Sequence, residues 1–190
     1  SRLLAGAALA LLILPWYRIR SGFFGFGWIE DLLSNEDLWP GLVQAVIGRW
    51  QLWPVLLLVA AIAAIRFTTP SGARRGRAMI WIGALGLIWL AVEGLSVGTR
   101  GWNWGLLEAT FGEFDGQPAF GAGAVMIGLF FTCLISFGAA EKGALKGDAF
   151  ILTAISVLIL LVGVFVLYPI LSIFTGAFQD FDGSFTSEGV

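Results

Sequence analysis

AFILTAISVLILLVGVFVLYPILSIFTGA, residues 149–177, contains no charged side chain. A helix needs about 20 mostly apolar residues to cross the hydrocarbon core of a bilayer. This run is longer than that, so it reads as a membrane span, and lipid becomes the solvent against which the rest of the chain is read. Pro169, near its far end, frees a backbone carbonyl one turn earlier, near Phe165. The helix is predicted to kink or end there.

Four further runs lie upstream. Residues 119–140 are uncharged and rich in Gly and Phe, and residues 78–97 hold a single charge, Glu93, near their end. Residues 52–67 form a shorter run. Trp50 and Trp53 stand where interfacial anchors belong, and Pro54 suits a first helical turn, where its missing N–H is no loss. Residues 3–17 admit two readings. Arg2 and a short apolar stretch fit a signal peptide, yet no small-x-small cleavage site follows. The run ends in Pro15-Trp16-Tyr17-Arg18, whose aromatic rings belong at headgroup level, and it is read as a span. The expected fold is all-α, with five transmembrane helices and short interfacial helices.

Composition points the same way. Of 190 residues, 58% are apolar and 13% charged, against roughly 25% charged in an average soluble domain, and mean hydropathy is +0.87. The net charge of −2 and the absence of a dense basic patch exclude nucleic acid as an expected partner. There is no His, so the usual general base and the commonest transition-metal ligand are missing. The single Cys, Cys133, excludes an internal disulfide and reads as a small residue packed in a helix. No metal site and no cofactor are expected.

Charge also sets orientation, because Lys and Arg favour the cytoplasmic side. The connection 66–77 carries Arg66, Arg74, Arg75 and Arg77 with no acid. Residues 141–148 carry Lys142 and Lys146, and Arg2 precedes the first run; these three segments read as inside. The connection 18–51, with Glu30, Asp31, Glu36 and Asp37, reads as outside. So do residues 98–118, with Glu108, Glu113 and Asp115, and the tail with Asp180, Asp182 and Glu188. The expected topology has the N-terminus cytoplasmic and the C-terminus outside.

Between the runs, Trp28, Ile29, Leu32, Leu33 and Leu38 alternate with acids at near-helical spacing. Ser34 or Asn35 suits a helix cap there, and an amphipathic helix on the outer face is expected. The stretch 101–120, with Trp102 and Trp104, has similar character.

Glu93 is the one ionisable side chain well inside a span. Intramembrane acids are costly and are functional candidates by default. Two roles stay open for Glu93: a substrate or proton site, or an interfacial or helix-packing group about one turn from the outer end. Gly121, Gly123 and Gly128 faintly match a dinucleotide fingerprint, but no βαβ unit surrounds them, and close helix packing fits better. Ala60 and Ala64 have small-xxx-small spacing. Glu113 and Asp115 are near enough to bind a cation, but the calcium-loop pattern is absent and a solvated loop is expected. No nucleophile has a basic partner, so catalysis is not expected.

The last run and tail carry a resemblance. Tyr168-Pro169-Ile170-Leu171, then Ala177-Phe178-Gln179-Asp180-Phe181-Asp182-Gly183-Ser184-Phe185, is similar to the start of a permease subunit of bacterial binding-protein-dependent ABC importers, the ferric iron, thiamine and polyamine group. Leu14-Pro15-Trp16-Tyr17-Arg18 and Lys146-Gly147-Asp148-Ala149-Phe150 resemble the large iron-type permeases with extra N-terminal helices. The diagnostic Glu-Ala-Ala…Gly loop that docks on the ATPase is missing; Ala139-Ala140-Glu141-Lys142-Gly143 imitates it in the wrong order.

The resemblance implies the N-terminal part of a longer permease, with 1–148 as a four-helix accessory region and 149–190 opening the transport core. It implies import of ferric iron or a related small cation across the inner membrane, driven by a separate ATP-binding cassette ATPase and fed by a periplasmic substrate-binding protein. A small polytopic protein with a scaffolding or assembly role is the alternative. A membrane enzyme ranks third, since the spans offer only Glu93 for chemistry.

The gene separates the first two readings. The permease reading expects the reading frame to run past Val190 into further spans and a Glu-Ala-Ala…Gly loop. A stop codon directly after Val190 selects the scaffold.

Overall fold

The computed structural model describes residues 2–17, 39–98, 101–102, 105–112 and 120–177. These are mostly helical. In chain order the elements are α1 (Arg2–Ile13), α2 (Gly41–Ile47), a 3-10 turn (Trp50–Leu52), α3 (Trp53–Thr68), α4 (Ala73–Ser96), β1 (Val97–Gly98), β2 (Gly101–Trp102), α5 (Gly105–Phe111) and α6 (Ala122–Glu141). A second 3-10 turn (Ala144–Gly147), α7 (Ala149–Val162), a π-helical turn (Gly163–Leu167) and α8 (Tyr168–Ala177) follow. β1 and β2 form a minimal antiparallel ladder, Val97 opposite Trp102.

Among the described residues, four helices are long and apolar enough to cross a membrane: Trp50–Thr68, Ala73–Ser96, Ala122–Glu141 and Ala149–Leu171. The expected fifth span, 3–17, is divided. α1 covers only 12 residues, about 18 Å at 1.5 Å per residue, against a hydrocarbon core of about 30 Å. Pro15 is the physical reason: it disfavours helical geometry at Leu14 and donates no N–H. Residues 14–17 instead run extended, with isolated bridges from Pro15 to Pro40 and from Tyr17 to Phe120.

The bundle is organised around α6, which packs most extensively on α4 and carries α7 and α1 on its other sides. The α4–α6 contact is set by missing side chains. A Cβ on Gly76 would lie 2.6 Å from the Gly138 carbonyl oxygen, and one on Gly83 would lie 2.8 Å from that of Phe131. The Phe131 ring lies where a side chain on Gly86 would go. Small residues of this kind let helix backbones approach closely. Ile127, Phe131 and Leu134 fill the core from α6, and Leu90 and Ile82 from α4. Ala60 and Ala64, by contrast, are both exposed.

Helix ends follow local chemistry. Pro54 sits in the first turn of α3, and Arg66 in its last, where a cation suits the helix dipole. Asp148 caps α7, accepting from the amides of Phe150 at 3.0 Å and Ile151 at 3.1 Å. The helix does not end at Pro169. It runs on through Ala177, and the ladder changes from α to π over Gly163–Leu167, around the predicted Phe165. A π turn of this kind is one way a helix absorbs an interruption in its hydrogen-bond ladder.

The surface helix expected around residues 28–38, the carboxylates Glu113 and Asp115, and the tail 178–190 lie outside the described residues.

The glycine-limited contact makes a prediction. Gly83→Ala should destabilise the purified protein by about 1–3 kcal/mol through overpacking. Gly6→Ala, with nothing within 4 Å of its new methyl, should be neutral or slightly stabilising. Thermal unfolding of the two variants compares them directly, and equal midpoints would show that α4 and α6 are not held at backbone contact.

Candidate functional site

On α4 the buried positions are Gly76, Ile82, Gly83, Gly86, Leu90, Glu93 and Ser96. Gly86, Leu90 and Glu93 recur at helical spacing, so Glu93 belongs to the same inward stripe as the glycines that meet α6. It does not reach an interface: only 1% of it is exposed.

Its partners come from the extended segment after α1. Trp16 Nε1 donates to Glu93 Oε1 at 3.0 Å, and the Tyr17 hydroxyl donates to the same oxygen at 3.1 Å. Both rings are buried. Gln51 Nε2 donates to the Tyr17 hydroxyl at 3.3 Å, and the Gln51 carbonyl accepts from Trp89 Nε1 at 3.0 Å. The Arg49 guanidinium stands 5.1 Å above the Tyr17 ring centre and donates to Gln44 Oε1 at 2.9 Å, while Gln44 Nε2 donates to the Trp39 carbonyl at 2.7 Å. Glu93 Oε2 accepts no hydrogen bond from the described residues. The network ties α4, the turn before α3, α2 and residues 15–17 together at one end of the bundle.

The backbone of the same segment caps α6. Gly121 N–H donates to the Trp16 carbonyl at 2.7 Å and Gly123 N–H to the Pro15 carbonyl at 2.9 Å. The first amides of a helix have no partner within it, and here a neighbouring segment supplies them. A Cβ on Gly121 would fall on the Tyr17 carbonyl, and one on Gly123 would lie 2.9 Å from the carbonyl oxygens of Leu14 and Pro15. Packing against backbone, rather than a nucleotide, accounts for these two glycines. Gly128 meets only Leu90, at an ordinary 3.7 Å.

At the opposite end, Arg75 Nε donates to both Glu141 oxygens, at 3.0 and 3.1 Å, its Nη2 also contacts Oε1, and Gly72 N–H donates to Oε2 at 3.4 Å. Glu141, in the stretch that imitates a docking loop, thus joins the start of α4 to the end of α6. Cys133 is partly buried on α6.

Of the sequence candidates among the described residues, only Glu93 lies in the polar network. Trp16, Tyr17, Gln51, Gln44 and Arg49 were not singled out as site residues. Two carboxamides beside otherwise apolar runs were the available signal. The network offers an acid, an indole, a phenol, two amides and a guanidinium. Ser96 Oγ is turned to the carbonyls of Val92 and Glu93 in its own helix. No group of three or more metal-ligating side chains occurs among the described residues. The arrangement holds segments together; it does not set a nucleophile against a base.

Comparison with protein-family models, curated proteins and solved structures finds no match to this chain.

Glu93→Leu should strand the Trp16 and Tyr17 donors, at about 1–3 kcal/mol each. Glu93→Gln keeps a carbonyl acceptor and should stay within about 1 kcal/mol of the parent. Chemical unfolding followed by tryptophan fluorescence reads both. A Glu93→Leu variant as stable as the parent would show that the two ring donors do not depend on Glu93.

Proposed function

We propose that this chain is a membrane-embedded part of a permease subunit in an ABC-type importer, with an ATPase and a substrate-binding protein as separate partners. The observation that carries the reading is the helix Ala149–Leu171. Its most apolar 18-residue window has a mean hydropathy of 3.0, and none of that window is buried. Phe150, Phe165 and Ile173, along this helix and its continuation α8, are 82%, 73% and 75% exposed. An apolar surface of this extent is tolerable against lipid or other helices, and not against water. The permease-like residues Tyr168-Pro169-Ile170-Leu171 stand at the end of this helix, and the capped start Asp148-Ala149-Phe150 stands at its beginning.

The bundle's two ends support the orientation. The Arg75–Glu141 and Gly76–Gly138 contacts bring the connections 69–72 and 142–148 to one end, so Arg74, Arg77, Lys142 and Lys146 gather there. The Glu93 network gathers residues 17, 51 and 120 at the other. We assign the basic end to the cytoplasm. In this reading α1–α6 form an accessory bundle with its own core, and α7–α8 belong to the transport core. Ferric iron or a related small cation is the substrate class that the resemblance favours.

Three measurements on the protein in its own membranes test the proposal. The chain should resist alkaline carbonate and require detergent. In a Cys133→Ala background, a cysteine at Thr110 should label from outside and one at Lys146 only after permeabilisation. Affinity purification should retain an ATP-binding cassette ATPase whose hydrolysis rises with its binding protein. A carbonate-soluble chain sinks the membrane reading. A membrane chain that retains no ATPase, and whose reading frame does not lead into a Glu-Ala-Ala…Gly loop, leaves the scaffold role in its place.

A further inference from the structure

From Val43 to Ile65 the polar side chains, indoles apart, are Gln44, Arg49 and Gln51, and all of them turn inward. Gln44 and Gln51 are each 2% exposed. Arg49 is half-buried, stands over the Tyr17 ring and donates to Gln44. The outward side chains are apolar: Val46 is 71% and Ile47 52% exposed, and Val43, Trp50 and Leu57 are exposed too. α2 is therefore amphipathic in the reverse of the sense that water selects. Polar groups toward the bundle and apolar groups outward are what hydrocarbon selects.

Two helices measure the depth of the turn between α2 and α3. Arg77 is the last charge on α4 before its apolar run, so the hydrocarbon core begins near Ala78 at the basic end. A core of about 30 Å then ends about 20 residues on, near Val97. Trp89 stands about 12 Å short of that far boundary, and its Nε1 donates to the Gln51 carbonyl at 3.0 Å. Helix side chains lean toward the N-terminus, here the basic end, so this bond is not a reach outward from Trp89. Along α3, the rise from Gln51 to Arg66 is only about 22 Å, which leaves about 8 Å of the core uncovered. By either helix, the turn sits roughly 10 Å inside the hydrocarbon.

Backbone at that depth needs partners within the protein. Arg49 N–H donates to the Gln44 carbonyl at 3.1 Å, Trp50 N–H to that of Gly48 at 3.0 Å and Leu52 N–H to that of Arg49 at 3.1 Å. Two indoles add to these, Trp53 Nε1 on the Ala45 carbonyl at 3.2 Å and Trp89 Nε1 on that of Gln51.

We propose that α2 and the turn after it are immersed in the leaflet farther from the basic end, with Val43, Val46, Ile47 and Trp50 against lipid acyl chains. A protein partner would be met by a polar rim. The exposed positions from Val43 to Ile65 carry no polar group but the indoles, and the apolar exposure runs on along α3 through Leu57. Trp50 and Trp53 then lie below the headgroup level that their sequence suggests. The inference rests on the membrane reading above and on no transport activity.

Depth-dependent quenching tests it. Single cysteines replace Val46, Ile47, Leu57 or Thr110 in the Cys133→Ala background, carry a fluorophore, and are reconstituted in vesicles of phosphatidylcholine and phosphatidylglycerol. The quenchers are a lipid with a nitroxide at mid-chain, a lipid with a nitroxide on its headgroup, and iodide on both sides of the membrane. At positions of Val46 and Ile47 the mid-chain nitroxide should quench as strongly as at Leu57 and more strongly than the headgroup nitroxide. Iodide should quench the label at Thr110, which is exposed on α5, and spare the other three. Stronger quenching by the headgroup nitroxide or by iodide at Val46 and Ile47 overturns the proposal. Protection from all three quenchers also overturns it, since protein then covers α2. Leu57 separates the two failures: quenched at mid-chain, it keeps the membrane reading whatever α2 does, and quenched by iodide, it removes that reading.

Discussion

The first amides of α6 have no side-chain cap, and one end of the molecule is arranged to supply them with carbonyls. Pro15 and Trp16 provide the acceptors for Gly123 and Gly121. That requirement brings an extended segment into a helical bundle, where exposed backbone is otherwise expensive. It excludes side chains at two positions of the α6 entrance, and it turns Trp16 and Tyr17 inward. Two buried ring donors then need an acceptor, and Glu93 Oε1 serves both. The carboxyl, the glycines and the proline that ends α1 are parts of one solution to a hydrogen-bonding problem. The contact travels through the centre, because α6 is also the helix on which α4, α1 and α7 pack.

The two ends of the bundle are fastened by different physics. At the Glu93 end the donors and acceptor are fully enclosed, so each bond is protected from water and each loss leaves a buried polar atom unpaired. At the other end Arg75 and Glu141 meet at the surface, where an ion pair contributes modestly and is screened by salt. Close approach there comes from Gly76 against Gly138 instead. Stability thus rests on enclosed hydrogen bonds at one end and on backbone contact at the other.

Much of this fold was legible in the residues. The apolar runs 78–97, 119–140 and 149–177 correspond to α4, α6 and α7–α8, since hydropathy acts locally and needs no knowledge of partners. In the run 3–17 the helix covers only Arg2–Ile13, because the backbone effect of Pro15 outweighs the apolar character around it. Trp16 and Tyr17 are ambiguous for a different reason: an aromatic ring with a polar handle suits a membrane interface and a buried donor equally well. What resolves them is Glu93, 77 residues away in the chain from Trp16, and no window of sequence contains that pairing. The inward face of Glu93 was within reach, since Gly86 and Leu90 lie on its stripe. The use of Gly121 and Gly123 depended on a neighbour that only the folded chain supplies.

The π turn at Gly163–Leu167 has a geometric consequence for α7 and α8. An α-helix advances its side chains by about 100° per residue, and a π turn accommodates one extra residue without breaking the rod. The angular phase of α8 is therefore offset from the one that α7 projects forward. Two halves of one continuous rod look in different directions, so neighbours stacked along its length face different rows of side chains. Removing one residue from the turn would leave the rod almost as long and rotate everything beyond it.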